Sequence, residues 1–368
     1  MLVFAQLNPW GENKLYPEAC FAYLPTPHIS VRIARGEDFS ISATSSYLIR
    51  NNERSSILSQ PTHIKPSPEG ISINGKIWGE NIWIEPTSGS LCKLNERRYR
   101  GAFIITQRDK SILEVINRVS LEEYLYGLIK MEISPGWPLA TLLAQAIAAR
   151  TYALRKLWEE DLVMSDSIQH QVYGGVEAED PRGTIAVDLT RGEILTYEGK
   201  PINALYHASS GGYLTSSKEV WGEDFPYLQA KKDPFSIISP YQDWTLKLSG
   251  SDLEKMLQVA GFSIKKIKAL TIIEKDASRR VKLLLISSEG KTSYISGRKL
   301  REIIGFNLLR STFFEVENKK DEFIFRGHGW GHGVGMSQWG AATMGKMGYS
   351  VEEILQFYYP GCDIYRAY

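Results

Sequence analysis

Cysteine is scarce in this 368-residue chain: Cys20, Cys92 and Cys362 lie far apart and form no C-x-x-C pair. That spacing argues against a cysteine-based zinc site, allows at most one disulfide, and reads as mostly structural thiols. Long apolar runs are missing as well. No stretch approaches the roughly 18 consecutive apolar residues that a membrane helix needs. The opening Met1-Leu-Val-Phe-Ala-Gln lacks a charged n-region and a long h-region, so no export signal is read there. Neither sign of charge dominates, because 43 basic side chains face 42 acidic ones mixed along the sequence. A polyanion finds no electrostatic footprint, and nucleic acid is not expected as a partner. Internal repeats and low-complexity tracts are also absent.

What is there can fold. A chain that is 43% hydrophobic and 23% charged can bury a sizeable core as one large domain or two to three smaller ones. Residues 1–110 carry short alternating apolar runs, such as Ser30-Val-Arg-Ile-Ala and Phe39-Ser-Ile-Ser-Ala, broken by Pro and Gly. This predicts a β-rich N-terminal part, with the three prolines between Leu58 and Gly70 marking a loop or strand connection. At Ser120-Leu-Glu-Glu123 a capping box opens a helix expected to end near Met131. A second helix is predicted from Leu139 to Trp158, with Leu142, Ala146, Ile147 and Leu154 in its apolar stripe and alanines burying other faces. From Trp244 to Gly305 the pattern reads strand, helix, two strands, helix. The expected fold class is α+β, a mixed core with two central helices. It divides into a β-rich part at 1–110, a core at 111–243, a small α+β subdomain at 244–310, and a return to the core at 311–368.

Four features could carry chemistry. Glu132 falls at a predicted helix C-terminus between Met131 and Ile133, where low dielectric and the helix dipole would both disfavour its charge. A general acid at neutral pH needs such a carboxyl, although a merely solvated glutamate at a helix end fits the same position. Arg150 falls inside the apolar stripe of its helix, so it requires partners: a carboxylate such as Glu132, or the carbonyls of a loop. The segment Tyr206-His-Ala-Ser-Ser-Gly-Gly212 offers His207, Ser209 and Ser210 to sugar hydroxyls. A Ser/His nucleophile pair is its weaker reading, because G-x-S-x-G is missing.

The run Gly327-His-Gly-Trp-Gly-His-Gly-Val-Gly335 has glycine at every odd position. Extended, it would project His328, Trp330, His332 and Val334 from one face and leave bare backbone on the other. A sugar ring could pack on Trp330 between the histidines, or the run could simply pack closely with no ligand. A metal held by His328 and His332 is disfavoured, since strand spacing would put the rings roughly 13 Å apart. A phosphate loop fails for want of the G-x-G-x-x-G register and a following Lys-Ser/Thr.

Met131-Glu132 to Trp137-Pro138, Ala144-Gln-Ala-Ile-Ala-Ala-Arg-Thr-Tyr-Ala-Leu154, Gln171-Val-Tyr173, Tyr206 to Gly212, Val220-Trp221 and Gly327 to Gly340 together resemble the SpoIID/LytB family, in order, from about residue 30 to the C-terminus. The resemblance implies a peptidoglycan lytic transglycosylase that cleaves between N-acetylmuramic acid and N-acetylglucosamine and leaves a 1,6-anhydro end, with Glu132 as its one catalytic carboxyl. Peptidoglycan glycan strands are then the partner, in a groove expected to be lined by Glu132, His207, Ser209, Ser210, His328, Trp330 and His332 and supported from beneath or beside by Arg150 and Gln338, with Tyr173 and Trp221 also expected to bind substrate. The family's other branch implies a modifier that stimulates a separate cell-wall amidase. Some members hold zinc with cysteines and a histidine near the Gln-Val-Tyr motif, but Ser165-Asp-Ser-Ile-Gln-His170 has no cysteine, so no metal and no cofactor are expected. An envelope location rests on the resemblance alone.

Overall fold

The computed structural model describes residues 25–87, 89–160, 163–167 and 170–368. Cys20 lies outside them, whereas Cys92 is a buried free thiol and Cys362 is buried. Burial and the neighbouring Glu85 push the Cys92 thiol up to about 12. The fold is α+β, in two compact units: residues 1–203 with 363–368, and residues 204–362. Among the described residues no helix is long and apolar enough to cross a membrane.

The first unit opens with two antiparallel-rich sheets. One orders its strands Met164–Ser165, His28–Gly36, Leu113–Ser120, Ala102–Gln107, Asn81–Pro86, Tyr47–Arg50 and Ser55–Leu58. The other runs Arg97–Tyr99, Cys92–Leu94, Phe39–Ala43, Thr62–Ser67, Gly70–Ile73 and Lys76–Ile77. Alternation puts Ile29, Val31, Ile41, Ile49, Ile64, Ile82, Ile84, Phe103 and Ile105 in the core, as the sequence pattern predicts. The fully buried Tyr47 ties one sheet to the other through its hydroxyl, which stands 2.9 Å from Thr62 Oγ1. The proline-rich stretch is not all loop. Thr62 and Ile64 alternate inward, and Pro66 is accepted near the strand's end, where it pairs with Ile71.

After these sheets come helices α1 (Leu121–Tyr126), α2 (Ile129–Glu132), α3 (Leu139–Glu160) and α4 (Pro181–Leu189). Ser120 caps α1 as expected, accepting from the Glu123 amide and donating to its carboxylate. The single helix predicted to Met131 is instead broken at Gly127-Leu128. The break has a packing cause: a Cβ on Gly127 would lie 2.6 Å from the Gly175 carbonyl and 2.8 Å from the Tyr173 ring. The Gly174 amide also donates to the Gly127 carbonyl. Helix α3 buries Leu142, Ala146, Ile147 and Leu154 together with Ala144, Ala148, Ala149 and Ala153, so more than one face is covered.

The second unit holds α5 (Ser217–Trp221), α6 (Gly250–Val259), α7 (Gly297–Ile304), α8 (Gln338–Lys346) and α9 (Val351–Tyr358). Two three-stranded sheets build its α+β part, Asp243–Ser249, Glu322–His328, Phe314–Asn318 and Ala269–Lys275, Val281–Ser288, Lys291–Ser296. They share one apolar core that includes Leu253, Leu257, Leu284, Ile286, Leu300, Phe314 and Phe325. The strand Lys291–Ser296 is additional to the sequence reading. It buries only Ile295, too little apolar signal to announce itself. The subdomain also reaches past residue 310, because Phe314–Asn318 and Glu322–His328 complete its sheet. Only Asp363–Arg366 returns to the first unit, pairing antiparallel with Glu193–Tyr197. The predicted core at 111–243 is thus divided at Ala204, so the His-Ala-Ser-Ser-Gly-Gly segment shares a unit with the glycine-rich run.

Candidate functional site

In the first unit Glu132 ends α2, as its position in the sequence predicts, and is half-buried. Ile133 is buried, whereas Met131 is 46% exposed. The carboxyl is held from elsewhere: the Val172 amide donates to Oε1 at 2.9 Å. Val172 is the middle of Gln171-Val-Tyr173, whose outer side chains both anchor in the core. Gln171 accepts from the Tyr124 hydroxyl at 3.1 Å and donates to the Ala149 carbonyl at 3.2 Å. Tyr173 donates to Asn117 Oδ1 at 3.0 Å. The motif is therefore a strut that presents one backbone N–H to the Glu132 carboxyl. Burial, together with the Glu132 charge nearby, holds the Tyr124 hydroxyl well above its ordinary range.

Tyr173 and Arg150, both expected among the substrate-binding residues, are buried. Tyr173 is only 5% exposed and packs on Tyr99 and Tyr124, so it braces the site from within. Tyr173→Phe leaves the buried Asn117 oxygen without its donor and is expected to cost about 1–3 kcal/mol, read as a lowered unfolding midpoint with unchanged glycan affinity. Arg150 is fully buried, and its partner is Glu122, not Glu132. Its remaining N–H groups go to Thr190 Oγ1 and to the carbonyls of Glu193 and Val187, so every donor is used within the core.

In the second unit the glycine-rich run does not continue as a strand beyond His328. Gly329, Gly331, Gly333 and Gly335 all have positive φ, which L side chains rarely adopt. Nor are their bare faces open to a ligand. A Cβ at Gly331 would meet His207 Cβ at 2.6 Å, and one at Gly335 would meet the Leu205 carbonyl at 2.1 Å. The four side chains consequently diverge. Val334 is buried in the core, while His328 pairs with Asp243 at 2.8 Å. Trp330 stacks edge-to-face with Tyr241 at 4.8 Å, and His332 turns toward His207 and Trp221, each 5.2 Å between ring centroids.

The bonds of these two histidines fix a proton on each ring, and those of His332 make it neutral. A carbonyl can only accept, so His207 carries its proton on Nδ1 for Val334 and His332 on Nε2 for Tyr206. His332 Nδ1 accepts the Val334 amide. Burial, then the neighbouring His332 and Arg280, depress His207 strongly, and burial with Arg301 lowers His332 to about 3. The unfolded chain binds these protons near pH 6.5, so stability is full above that pH and is lost as pH falls toward the folded values. For the buried His207 the slope should approach about 1.4 kcal/mol per pH unit below about pH 6.5. Urea unfolding between about pH 7.5 and about pH 5 should show it, and His207→Asn, which keeps a donor for Val334, should remove the share of His207 and leave that of His332.

Residues 109–197 match the sequence family described as stage II sporulation protein, SpoIID. Residues 241–335 match a domain of unknown function, DUF8618. Stage II sporulation protein D of Bacillus subtilis is 32% identical over 273 residues, 68% of this chain and 76% of that protein. The chain belongs to the stage II sporulation protein D family. An uncharacterized protein of Brachyspira hyodysenteriae is 32% identical over 80% of this chain and 79% of its own length. The Bacillus subtilis protein named amidase enhancer is also 32% identical, over 65% of this chain, which spans 40% of that longer relative.

In this member of the stage II sporulation protein D family, Glu132, Arg150 and Tyr173 fall inside the first matched span, and His328, Trp330 and His332 inside the second. The stretch between the spans holds His207, Ser209, Ser210 and Trp221. Ser209 and Ser210 are buried at 1% and 0% exposure, so they form no open surface for sugar hydroxyls. Ser209 pairs through its backbone with Trp330. Ser210 donates to Asp233 at 2.7 Å, and neither serine bonds His207, which removes the nucleophile-pair geometry. Trp221 is 39% exposed beside His332, and Gln338 is buried in the first turn of α8.

Two residues that the sequence reading passed over join these motifs. Asp233 is fully buried, accepts from Ser210 and from the Tyr358 hydroxyl at 3.2 Å, and is pushed up by burial. Arg280 donates to the Ser210 carbonyl at 2.8 Å and to the Tyr213 carbonyl at 2.7 Å, lying where a Cβ on Gly333 would stand. Asp233 followed by Pro, and Arg280 in a hairpin turn, read locally as loop chemistry, so no signal marked either one. Among the described residues no three of His, Cys, Asp and Glu cluster closely enough to hold a metal ion.

Proposed function

We propose that this protein is a peptidoglycan lytic transglycosylase that cleaves the bond between N-acetylmuramic acid and N-acetylglucosamine, with Glu132 as acid and then base. The observation that carries the reading is the held carboxyl, half-buried at the end of α2 with Oε1 fixed by the Val172 amide. The carboxylic acid protonates the glycosidic oxygen as the bond to the anomeric carbon breaks. The resulting carboxylate then takes the proton of the muramic C6 hydroxyl, whose oxygen bonds the same anomeric carbon and closes the 1,6-anhydro ring. Glu132 ends as it began, protonated, and no second carboxylate holding a water is required, unlike hydrolytic glycosidases. Such work belongs outside the cytoplasm, on glycan strands of the cell envelope.

A second reading is favoured by the relative named amidase enhancer: a glycan-binding modifier that acts through a cell-wall amidase. Purified protein incubated alone with glycan strands separates the two. The proposal expects 1,6-anhydro ends by mass analysis. Binding without any anhydro product, and faster stem-peptide release once an amidase is added, would establish the modifier instead.

A further inference from the structure

The second unit carries a groove that the chemistry at Glu132 does not use. It is open to solvent, has a volume of about 230 Å³ and is lined by Trp244, Thr245, Leu246, Asn307, Leu308 and Arg310. All six lie within the span matched by the domain of unknown function. Arg310 is half-buried, and its guanidinium carbon stands 5.0 Å from the Trp330 ring centroid and 5.8 Å from that of Tyr241. Trp330 and Tyr241 meet at 87°, making a corner for the guanidinium. The Arg310 carbonyl accepts the Gly331 amide, and Trp244 Nε1 donates to the Gly329 carbonyl, so the glycine-rich run fixes both groove residues.

The Arg310 side chain has no hydrogen-bond acceptor and no acidic partner among the described residues. Asp243, the acidic side chain beside Trp244, is committed to His328 at 2.8 Å. A guanidinium packed against aromatic rings keeps its N–H edges available for two parallel bonds, a geometry that suits a planar carboxylate. The wall beside it is mixed: Leu246 and Leu308 are apolar, Thr245 and Asn307 polar, and Leu308 is 48% exposed. No second cation lines the groove, which disfavours a doubly charged phosphate.

We infer that this groove binds a small carboxylate carried on a partly apolar body, the carboxylate bridging the two N–H groups of the Arg310 edge. Two sources in cell-wall material carry that chemistry, the lactyl group of a muramic sugar and the C-terminus of a stem peptide. That choice of sources rests on the function proposed above, but the groove is assayed by binding alone. Unchanged cleavage in Glu132→Gln would overturn the role of Glu132 and leave this inference standing, and an empty groove leaves Glu132 standing.

The test is calorimetric titration of the full chain with N-acetylmuramic acid, with N-acetyl-D-alanyl-D-alanine, with neutral N-acetylglucosamine and with inorganic phosphate. At least one acid should bind more tightly than N-acetylglucosamine, and which acid does so identifies the source. R310Q should weaken that acid by about tenfold or more, the scale of a charge-assisted pair. R310K keeps the charge without the planar fork and should fall between the two, which guards against a fold defect in R310Q alone. Wild-type affinity in both variants, binding of N-acetylglucosamine as tight as that of the acids, or tighter binding of inorganic phosphate would each overturn the inference.

Discussion

Glu132→Gln should lower the release of anhydro-ended fragments by about 10²- to 10⁴-fold, the range that general acid and base groups supply. Glutamine keeps the size and can still accept the Val172 amide, so the strut through Gln171 and Tyr173 should stand. It cannot deliver a proton to the glycosidic oxygen or remove one from the C6 hydroxyl, and a single carboxyl serves both halves of the reaction. The loss should therefore appear in kcat, with glycan affinity and unfolding midpoint close to wild type. Glu132→Asp withdraws the carboxyl by one methylene and should lose most of the rate as well, since geometry limits the proton transfers. Equal release of anhydro-ended product from Glu132→Gln and wild type would sink the catalytic assignment of Glu132 and put the acid at another residue.

How far the sequence showed this arrangement depends on how local each cause is. Helix α3 was legible because its apolar stripe and alanines repeat every three to four residues, and Ser120 because a capping residue acts within one turn. The end of α2 at Glu132 was visible from Pro135, Gly136 and Pro138 just beyond it. The break at Gly127 was not, because it answers to Tyr173 and Gly175, far along the chain. The alternating glycines were misread for a related reason. Alternation suggests a strand, but left-handed φ at four successive glycines turns the run away from one, and their packing partners lie over a hundred residues earlier or in the hairpin at Arg280. His207, Ser209 and Ser210 looked like surface because polar residues usually are. They are buried because Val334, Trp330 and Asp233 supply partners that no local pattern announces.

The other large effect concerns stability. Arg150 on α3 and Glu122 on α1 form a fully buried pair with two bonds, at 2.9 and 2.8 Å. The guanidinium also bonds Val187 on α4, Thr190 and the strand residue Glu193, while Glu122 accepts from Gly192 and, at 2.6 Å, from the Tyr368 hydroxyl. One ion pair thus gathers α1, α3, α4 and the C-terminal residues around a single point in the first unit. Arg150→Met strands the carboxylate without its cation and should cost about 3–5 kcal/mol, because an uncompensated buried charge outweighs the pair's own net contribution. For a unit of this size that is a fall of roughly 6–20 °C in melting temperature. Glu122→Gln combined with Arg150→Met removes both charges, and the double variant should recover part of the loss. A double-mutant cycle by thermal unfolding measures this directly. If Arg150→Met melted like wild type but bound glycan weakly, Arg150 would be a ligand contact; the buried geometry predicts the opposite, a large loss of stability in which glycan binding by the molecules still folded is unchanged.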